Sequence, residues 1–278
     1  MSTVSPPDLA GRTFMVTGAT SGLGRVTSLR LAARGAHLVL ACRSAPRAGE
    51  VVDEVAATTP GSAVHVPLDL ADLASVRACA DAVAARGEPV HVLVNNAGVA
   101  GSRGVTEQGF ELTFGVNHLG HFLLATRLLD TLGPEAPGRV VSLASKAHFG
   151  AKGIDWEALQ RPTRTRTGLV EYQVAKLCNV LFAQELARRR PGLESVAVHP
   201  GVVATDIWRS VPWPVRPIMT RFMRSTDEGA EAPLHWATTP AVSPSGAYAD
   251  GTTVTAPAGI ATPELAADLW RHSEGWAG

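Results

Sequence analysis

The chain reads as a doubly wound α/β domain, a parallel sheet of about seven strands in one domain spanning all 278 residues. Three observations lead there. Short β-branched, apolar runs alternate with helix-length segments along the whole chain. The runs are apolar on both faces, as strands covered by helices on either side require. No linker, low-complexity tract or internal repeat interrupts the alternation.

The elements follow in order. TFMVTG (13–18) is short, β-branched and apolar, and reads as a strand. GRVTSLRLAARG (24–35) has Val26, Leu29 and Ala33 at helical spacing and a glycine stop. AHLVLACR (36–43), AVHVPLDL (63–70), HVLVNNAG (91–98), RVVSLAS (139–145) and ESVAVHPG (194–201) repeat the strand type. Polar-apolar sequence of helix length separates each from the next.

Composition narrows the class. Hydrophobic residues make up 45% and charged residues 18%, the balance of a globular protein with a full core. The formal net charge is zero, so no global field favours nucleic acid or an anionic membrane. Cys42, Cys79 and Cys178 are scattered without metal spacing and read as reduced, intracellular thiols. The histidines show no metal spacing either, so no metal is expected. The N-terminal MSTVSPPDLAGRT lacks the apolar stretch of a secretion signal. No later stretch reaches the ~18 uncharged apolar residues of a membrane span. A soluble cytoplasmic protein without a stable membrane anchor is expected.

The first strand-to-helix turn, TGATSGLG, carries Gly18, Gly22 and Gly24, with Thr20, Ser21 and Leu23 between them. Glycines there let the backbone turn sharply and approach a pyrophosphate seated at a helix N-terminus. A P-loop is excluded, because no Gly-Lys-Ser/Thr follows. A ligand-free glycine turn is the competing reading. An NAD site needs a carboxylate near the end of the second strand. Here no acidic residue lies between Asp8 and Glu50, while Arg12, Arg25, Arg30, Arg34, Arg43 and Arg47 all do. Arg43, just past the strand, can grip a 2′-phosphate through its planar fork, and Arg25 in the loop could close on it. Arg30 and Arg34 read as solvated helix faces. NADP is therefore favoured over NAD.

One stretch stands out in its composition. LVEYQVAKLCNV (169–180) holds one of two tyrosines, Tyr172, and one of three lysines, Lys176, in a chain with 25 Lys and Arg. On a helix, positions four apart share a face, so the phenol and the ammonium point into one space. A phenol near pKa 10 exchanges protons poorly at neutral pH, and a neighbouring cation should lower that value.

With TGATSGLG, NNAG (95–98), SLAS ending at Ser145, YQVAK and HPGVVATD in this order, the chain resembles the short-chain dehydrogenase/reductases over essentially its whole length. It is most similar to the branch containing retinol dehydrogenases. The marks of that branch are CR at the end of the second strand, FGVNHLGHFLL on a long helix, SKAH after the fifth strand, and Ser and Tyr 27 positions apart. All four asparagines, Asn95, Asn96, Asn117 and Asn179, fall at positions of the family pattern. The resemblance implies a catalytic set of Asn117, Ser145, Tyr172 and Lys176. Tyr172 would pass a proton to or from the substrate oxygen, Ser145 would hydrogen-bond that oxygen, and Lys176 would hold the ribose. Asn117 would support a water that passes protons on from Lys176. Asp69 and Leu70 would meet the adenine, and Asn95, Ala97 and Gly98 the ribose. Pro200, Gly201, Val203 and Thr205 would cover the nicotinamide. Ser145, His148 and Trp208 would line the substrate pocket.

The expected activity is NADP(H)-dependent interconversion of a carbonyl and an alcohol, in the reducing direction of a ketoreductase. The lid, expected around 206–226, is rich in Trp, Met, Phe, Pro and Arg, which points to a bulky hydrophobic substrate. Two alternatives stay open: a catalytically silent NADP-binding regulatory protein, and an NAD-linked alcohol dehydrogenase. Substrate identity and a homodimeric state are left open.

Overall fold

A computed structural model of the chain describes residues 8–133, 138–201 and 225–278. Seven strands run parallel: β1 (Thr13–Thr17), β2 (His37–Cys42), β3 (Ser62–Pro67), β4 (Val92–Asn95), β5 (Arg139–Leu143), β6 (Glu194–His199) and β7 (Ala247–Asp250). An eighth, β8 (Thr253–Thr255), turns back antiparallel on β7. The expected count of about seven thus omits an edge strand. Its sequence, TVT, is too short and too exposed to carry an alternation. The order β3-β2-β1-β4-β5-β6-β7-β8 reverses direction between β1 and β4. That switch opens a crevice beyond the carboxyl ends of the central strands.

Helices cover both faces. They are α1 (Gly22–Ala33), α2 (Ala45–Thr58), α3 (Leu73–Ala84), the short α4 (Leu112–Phe114), α5 (Gly120–Arg127), α6 (Leu169–Arg189), α7 (Thr226–Thr238) and α8 (Pro263–Ala277). Side chains alternate across the sheet as the two-residue strand period demands. In β1, Phe14 and Val16 join Leu31, Val55 and Trp236 on one face, while Met15 joins Val76, Phe122, Leu177 and Trp270 on the other. The helix starts carry side-chain caps. Ser44 accepts from the Arg47 amide, Asp72 from Ala74, and Ser225 and Glu228 form a reciprocal box at α7. Residues 225–226 therefore belong to a helix start, and the rest of the expected lid lies outside the described residues.

Between α4 and α5 the chain forms a π-helical turn, Gly115–Leu119. Such turns widen a helix by one residue and often mark functional positions. Helix α8 closes the same side of the molecule. Its Trp270 meets Phe122 edge-on at 4.9 Å and stacks on Phe182 at 5.9 Å, under the Arg189 guanidinium at 4.8 Å. Ser273 lies 3.0 Å from Nε2 of the buried His118.

At the amino end of the sheet, Arg139 is buried against Glu194. Its Nε donates to the carboxylate at 2.7 Å, and Nη1 donates to the carbonyls of Trp236 and Thr239 at 2.9 and 2.7 Å. Glu194 also accepts from the Val242 amide at 2.9 Å. Removing one member of such a pair leaves a buried charge uncompensated. Arg139→Met should cost about 3–5 kcal/mol of unfolding free energy, read from the shift of the chemical denaturation midpoint. An unchanged midpoint would show that water replaces the guanidinium at no cost.

Candidate active site

The crevice at the carboxyl edge is where the sequence-derived residues converge. The loop after β1 has Gly18 at φ +67 and Gly22 at φ +52, conformations a side chain would strain. A Cβ on Gly18 would stand 3.0 Å from Ala97, and one on Gly24 would collide with the Gly18 carbonyl and the Asn96 amide. The glycines thus let the turn lock onto the NNAG loop and leave the backbone bare toward the crevice. Ser21 caps α1 by position only, without a side-chain hydrogen bond, and no acidic residue occupies the first turn. The first amides of α1 consequently keep their donors for an anion, which a dinucleotide pyrophosphate satisfies. The buried Oδ1 of Asn95 also has no protein partner among the described residues. The crevice fits a dinucleotide on these three counts.

The arginines of the amino-terminal segment sort themselves by partner. Arg34 pairs with Asp8, Arg30 with Glu231 and Arg25 with Glu54, while Arg12 lies 5.6 Å from the Phe14 ring. Arg25 was expected to close on a 2′-phosphate; the structure ties it to Glu54 on α2 instead. Arg43 and Arg47 are exposed, and neither forms an ion pair among the described residues. The local positive surface narrows to these two. Asp69 accepts from the Ala71 amide at 2.9 Å, inside the loop that precedes α3; the helix cap is Asp72. Leu70 is buried beneath that loop.

Helix α6 delivers Tyr172 and Lys176 to the end of β5. Both are buried, at 7% and 3% exposure. Lys176 Nζ donates to the Leu143 carbonyl at 2.7 Å, and Asn179 Nδ2 donates to the same oxygen at 3.0 Å. Nζ stands 5.6 Å from the Tyr172 ring centre. Burial brings the ammonium down to about 8. Burial also raises the Tyr172 phenol above its ordinary value, and only the Ser145 side chain opposes the rise. The expected lowering of the phenol by Lys176 is therefore absent from the protein alone. Desolvation sets the direction of the shift.

Ser145 caps the 3-10 turn Lys146–Gly150, accepting from the Ala147 amide at 3.2 Å. That uses one lone pair, and the rest of the hydroxyl faces the Tyr172 phenol. His148 departs from its expected place on the pocket wall. It is wholly buried, its Nδ1 lies 2.6 Å from the Ser145 carbonyl, and its Nε2 accepts from the Ala258 amide at 3.1 Å. Burial lowers its pKa. Both ring nitrogens are used to clamp the Ser145 turn. Pro200 and Gly201 follow β6, with Pro200 buried; Val203, Thr205 and Trp208 lie outside the described residues.

Asn117 sits fully buried in the π turn. Its amide reads both backbone groups of Val99, accepting from N–H at 2.8 Å and donating to the carbonyl at 2.9 Å. Gly98 approaches the same amide: a Cβ there would lie 3.1 Å from Oδ1. Sequence reasoning left out Thr17 and His121, and placed Asn96 in the family pattern without giving it a role. Asn96 Nδ2 donates to the Thr17 carbonyl at 2.8 Å, and the Thr17 hydroxyl oxygen receives the amides of Asn96 and Ala97, each at 3.0 Å. His121 bridges that oxygen and the Asn117 carbonyl. Its signal was available, since it stands four residues after Asn117, the spacing that marked Tyr172 and Lys176. Among the described residues no group of side chains could hold a metal ion, and no helix is long and apolar enough to cross a membrane.

Known proteins resemble this chain in sequence and in fold. Residues 12–157 match the family model described as short chain dehydrogenase. Retinol dehydrogenase 12 of Mus musculus is 41% identical over 238 residues, covering 82% of this chain and 74% of its own. A crystal structure of an uncharacterised protein from Mycobacterium paratuberculosis superposes with TM-score 0.79 at 32% identity, covering 98% of this chain and 96% of that one. A short chain dehydrogenase from Burkholderia cenocepacia, solved in complex with NADP, gives 0.69 at 27% identity over 87% and 96% of the two chains.

The buried lysine makes stability depend on pH with a definite sign. Its folded value of about 8 lies below its ordinary 10.5. Below about 8 both states are charged and the folded state bears the full desolvation cost. Between there and 10.5 the unfolded chain binds more protons, so stability rises with pH as this cost is relieved. Lys176→Met should therefore melt above wild type at pH 7, with the gap closing toward pH 10.5. A gap constant across that window would show that Lys176 does not titrate there.

Proposed function

Because the chain belongs to the short chain dehydrogenase family of oxidoreductases, we propose that it is a cytoplasmic NADP(H)-dependent enzyme interconverting a carbonyl and an alcohol on a bulky hydrophobic substrate, working as a reductase. The observation that carries this reading is the convergence of Tyr172, Lys176 and Ser145 at the end of β5, beside a glycine turn shaped for a pyrophosphate. The name of the mouse relative supports an apolar alcohol or aldehyde as the substrate class.

NADPH, when bound, supplies the hydride. The turn from Gly18 to Gly24 and the first amides of α1 would hold its pyrophosphate, and Arg43 its 2′-phosphate. Asp69 would meet the adenine, with Asn95, Ala97 and Gly98 along the ribose and Pro200 and Gly201 over the nicotinamide. Tyr172 is the proton donor. Its raised pKa keeps the phenol protonated at neutral pH, the form a reduction needs. As negative charge grows on the carbonyl oxygen, the phenol proton moves to it and an alcohol results. Ser145 donates a hydrogen bond to the same oxygen. The Lys176 ammonium, aimed by the Leu143 carbonyl, stabilises the phenolate left behind and reaches the ribose hydroxyls. Asn117 holds the Val99 segment at the foot of the site and supports the water that passes a proton back toward Lys176.

NADPH consumption with retinal, bulky ketones and polycyclic quinones tests the activity; no turnover of any carbonyl would refute it. Tyr172→Phe should keep the fold and NADPH affinity but lose ~10²–10⁴ in kcat. Lys176→Arg should lose both turnover and cofactor affinity, because a planar guanidinium does not reproduce the contacts of an ammonium. Near-wild-type turnover in that variant would reduce the role of Lys176 to charge alone. Arg43→Asp should weaken NADPH binding by about 2–3 kcal/mol and NADH binding far less. Equal wild-type affinities for the two would reject the assignment of Arg43.

A further inference from the structure

His121 links two parts of the site that belong to different segments of the chain. Its Nε2 lies 2.9 Å from the Thr17 hydroxyl oxygen, and its Nδ1 lies 3.1 Å from the Asn117 carbonyl oxygen. The residue is 3% exposed. Thr17 ends β1 directly before the glycine turn, and its hydroxyl already accepts the Asn96 and Ala97 amides. A hydroxyl offers two lone pairs and one proton. Both lone pairs are therefore filled, and only the proton remains. The alternative acceptor for it, the Val94 carbonyl, is 3.4 Å away, at the limit of a hydrogen bond.

The ring has one consistent state. A proton on Nε2 would push a third donor onto the filled Thr17 oxygen. It would also set the bare Nδ1 lone pair against the lone pairs of the Asn117 carbonyl. With the proton on Nδ1, the ring donates to Asn117 and accepts from Thr17, and every partner is satisfied. A doubly protonated ring fails at Thr17 for the same reason as the first alternative. Burial favours this neutral form and pulls the ring down to about 4, assisted by the nearby Lys176 charge.

We infer that His121, as the neutral Nδ1–H tautomer, is a positioning residue that holds the cofactor floor (Thr17 with the Asn96–Ala97 loop) in register with the π turn bearing Asn117. It touches no substrate. It acts through Thr17 at one end and Asn117 at the other. The inference rests on the oxidoreductase reading, since it assigns those two ends to cofactor binding and proton handling.

The two ends can be cut separately, because an Asn amide falls near Nδ1 of a histidine and a Gln amide near Nε2. His121→Asn keeps the donor to Asn117 and strands the Thr17 proton. NADPH affinity by titration calorimetry should fall about tenfold or more, with kcat within about threefold of wild type. His121→Gln keeps the acceptor for Thr17 and strands the Asn117 carbonyl. Its kcat on the best carbonyl of the panel above should fall about tenfold, with NADPH affinity close to wild type. A purely structural histidine would lower the melting temperature in both variants and move neither constant selectively, and that result overturns the inference. Ring-¹⁵N-histidine NMR of the wild type needs no variant to fold: an Nε2–H or doubly protonated His121 at pH 7 overturns it as well. Failure of the oxidoreductase reading would appear differently, as a wild type that binds NADPH and turns over no carbonyl, with the tautomer and the calorimetric split intact.

Discussion

Two donors meet on one backbone oxygen, and the rest of the site is arranged around that meeting. The Leu143 carbonyl receives Lys176 and Asn179 from successive turns of α6. An ammonium enclosed in protein must have a fixed acceptor or lose its proton. By taking the last carbonyl of β5, Lys176 fixes the rotation and height of α6 against the sheet. Tyr172 is then set, one turn earlier on the same face, against Ser145, two residues beyond Leu143. The register of the strand end, the helix face and the candidate site's side chains is a single geometric fact.

Around this anchor, the crevice is built from uncharged polar groups with assigned partners. His148 ties the Ser145 turn to the Ala258 segment, Asn117 holds both sides of the Val99 peptide, and Thr17 holds the NNAG loop. In a low-dielectric setting such bonds are directional and costly to leave unmade. Apart from Lys176, the charges named near the cofactor end lie toward the surface, on paired arginines such as Arg30 and Arg34.

Much of this was written plainly in the residues. Glycine spacing, runs apolar on both faces and the lysine four places after a tyrosine pointed to the fold class and to the candidate site, because each is a local pattern with a local cause. What stayed hidden depends on which residues meet across the fold. Arg25 looks like a phosphate ligand in a segment free of acids, yet Glu54 reaches it from α2. His148, three residues after Ser145, looks like a pocket residue until the Ala258 amide arrives at its far nitrogen from 110 positions away. The strand β8 lacks any periodicity to read. Thr17 and His121 pass as ordinary strand and helix residues until the sheet brings them within 2.9 Å.

Helix α8 has a consequence for how the molecule comes into being. The faces of α5 and α6 that turn away from the sheet are covered by Trp270 and its neighbours, from a helix spanning Pro263–Ala277. During synthesis, the helix bearing Tyr172 and Lys176 leaves the ribosome with that side bare, and it stays bare until α8 has been made. Contacts between distant segments form late, since the loop between them must first close. The packing around α6 is thus completed only by a segment made well after it. Until then the nascent protein presents Phe122, Phe182 and the apolar side of α6 to whatever surrounds it, the kind of surface that chaperones recognise.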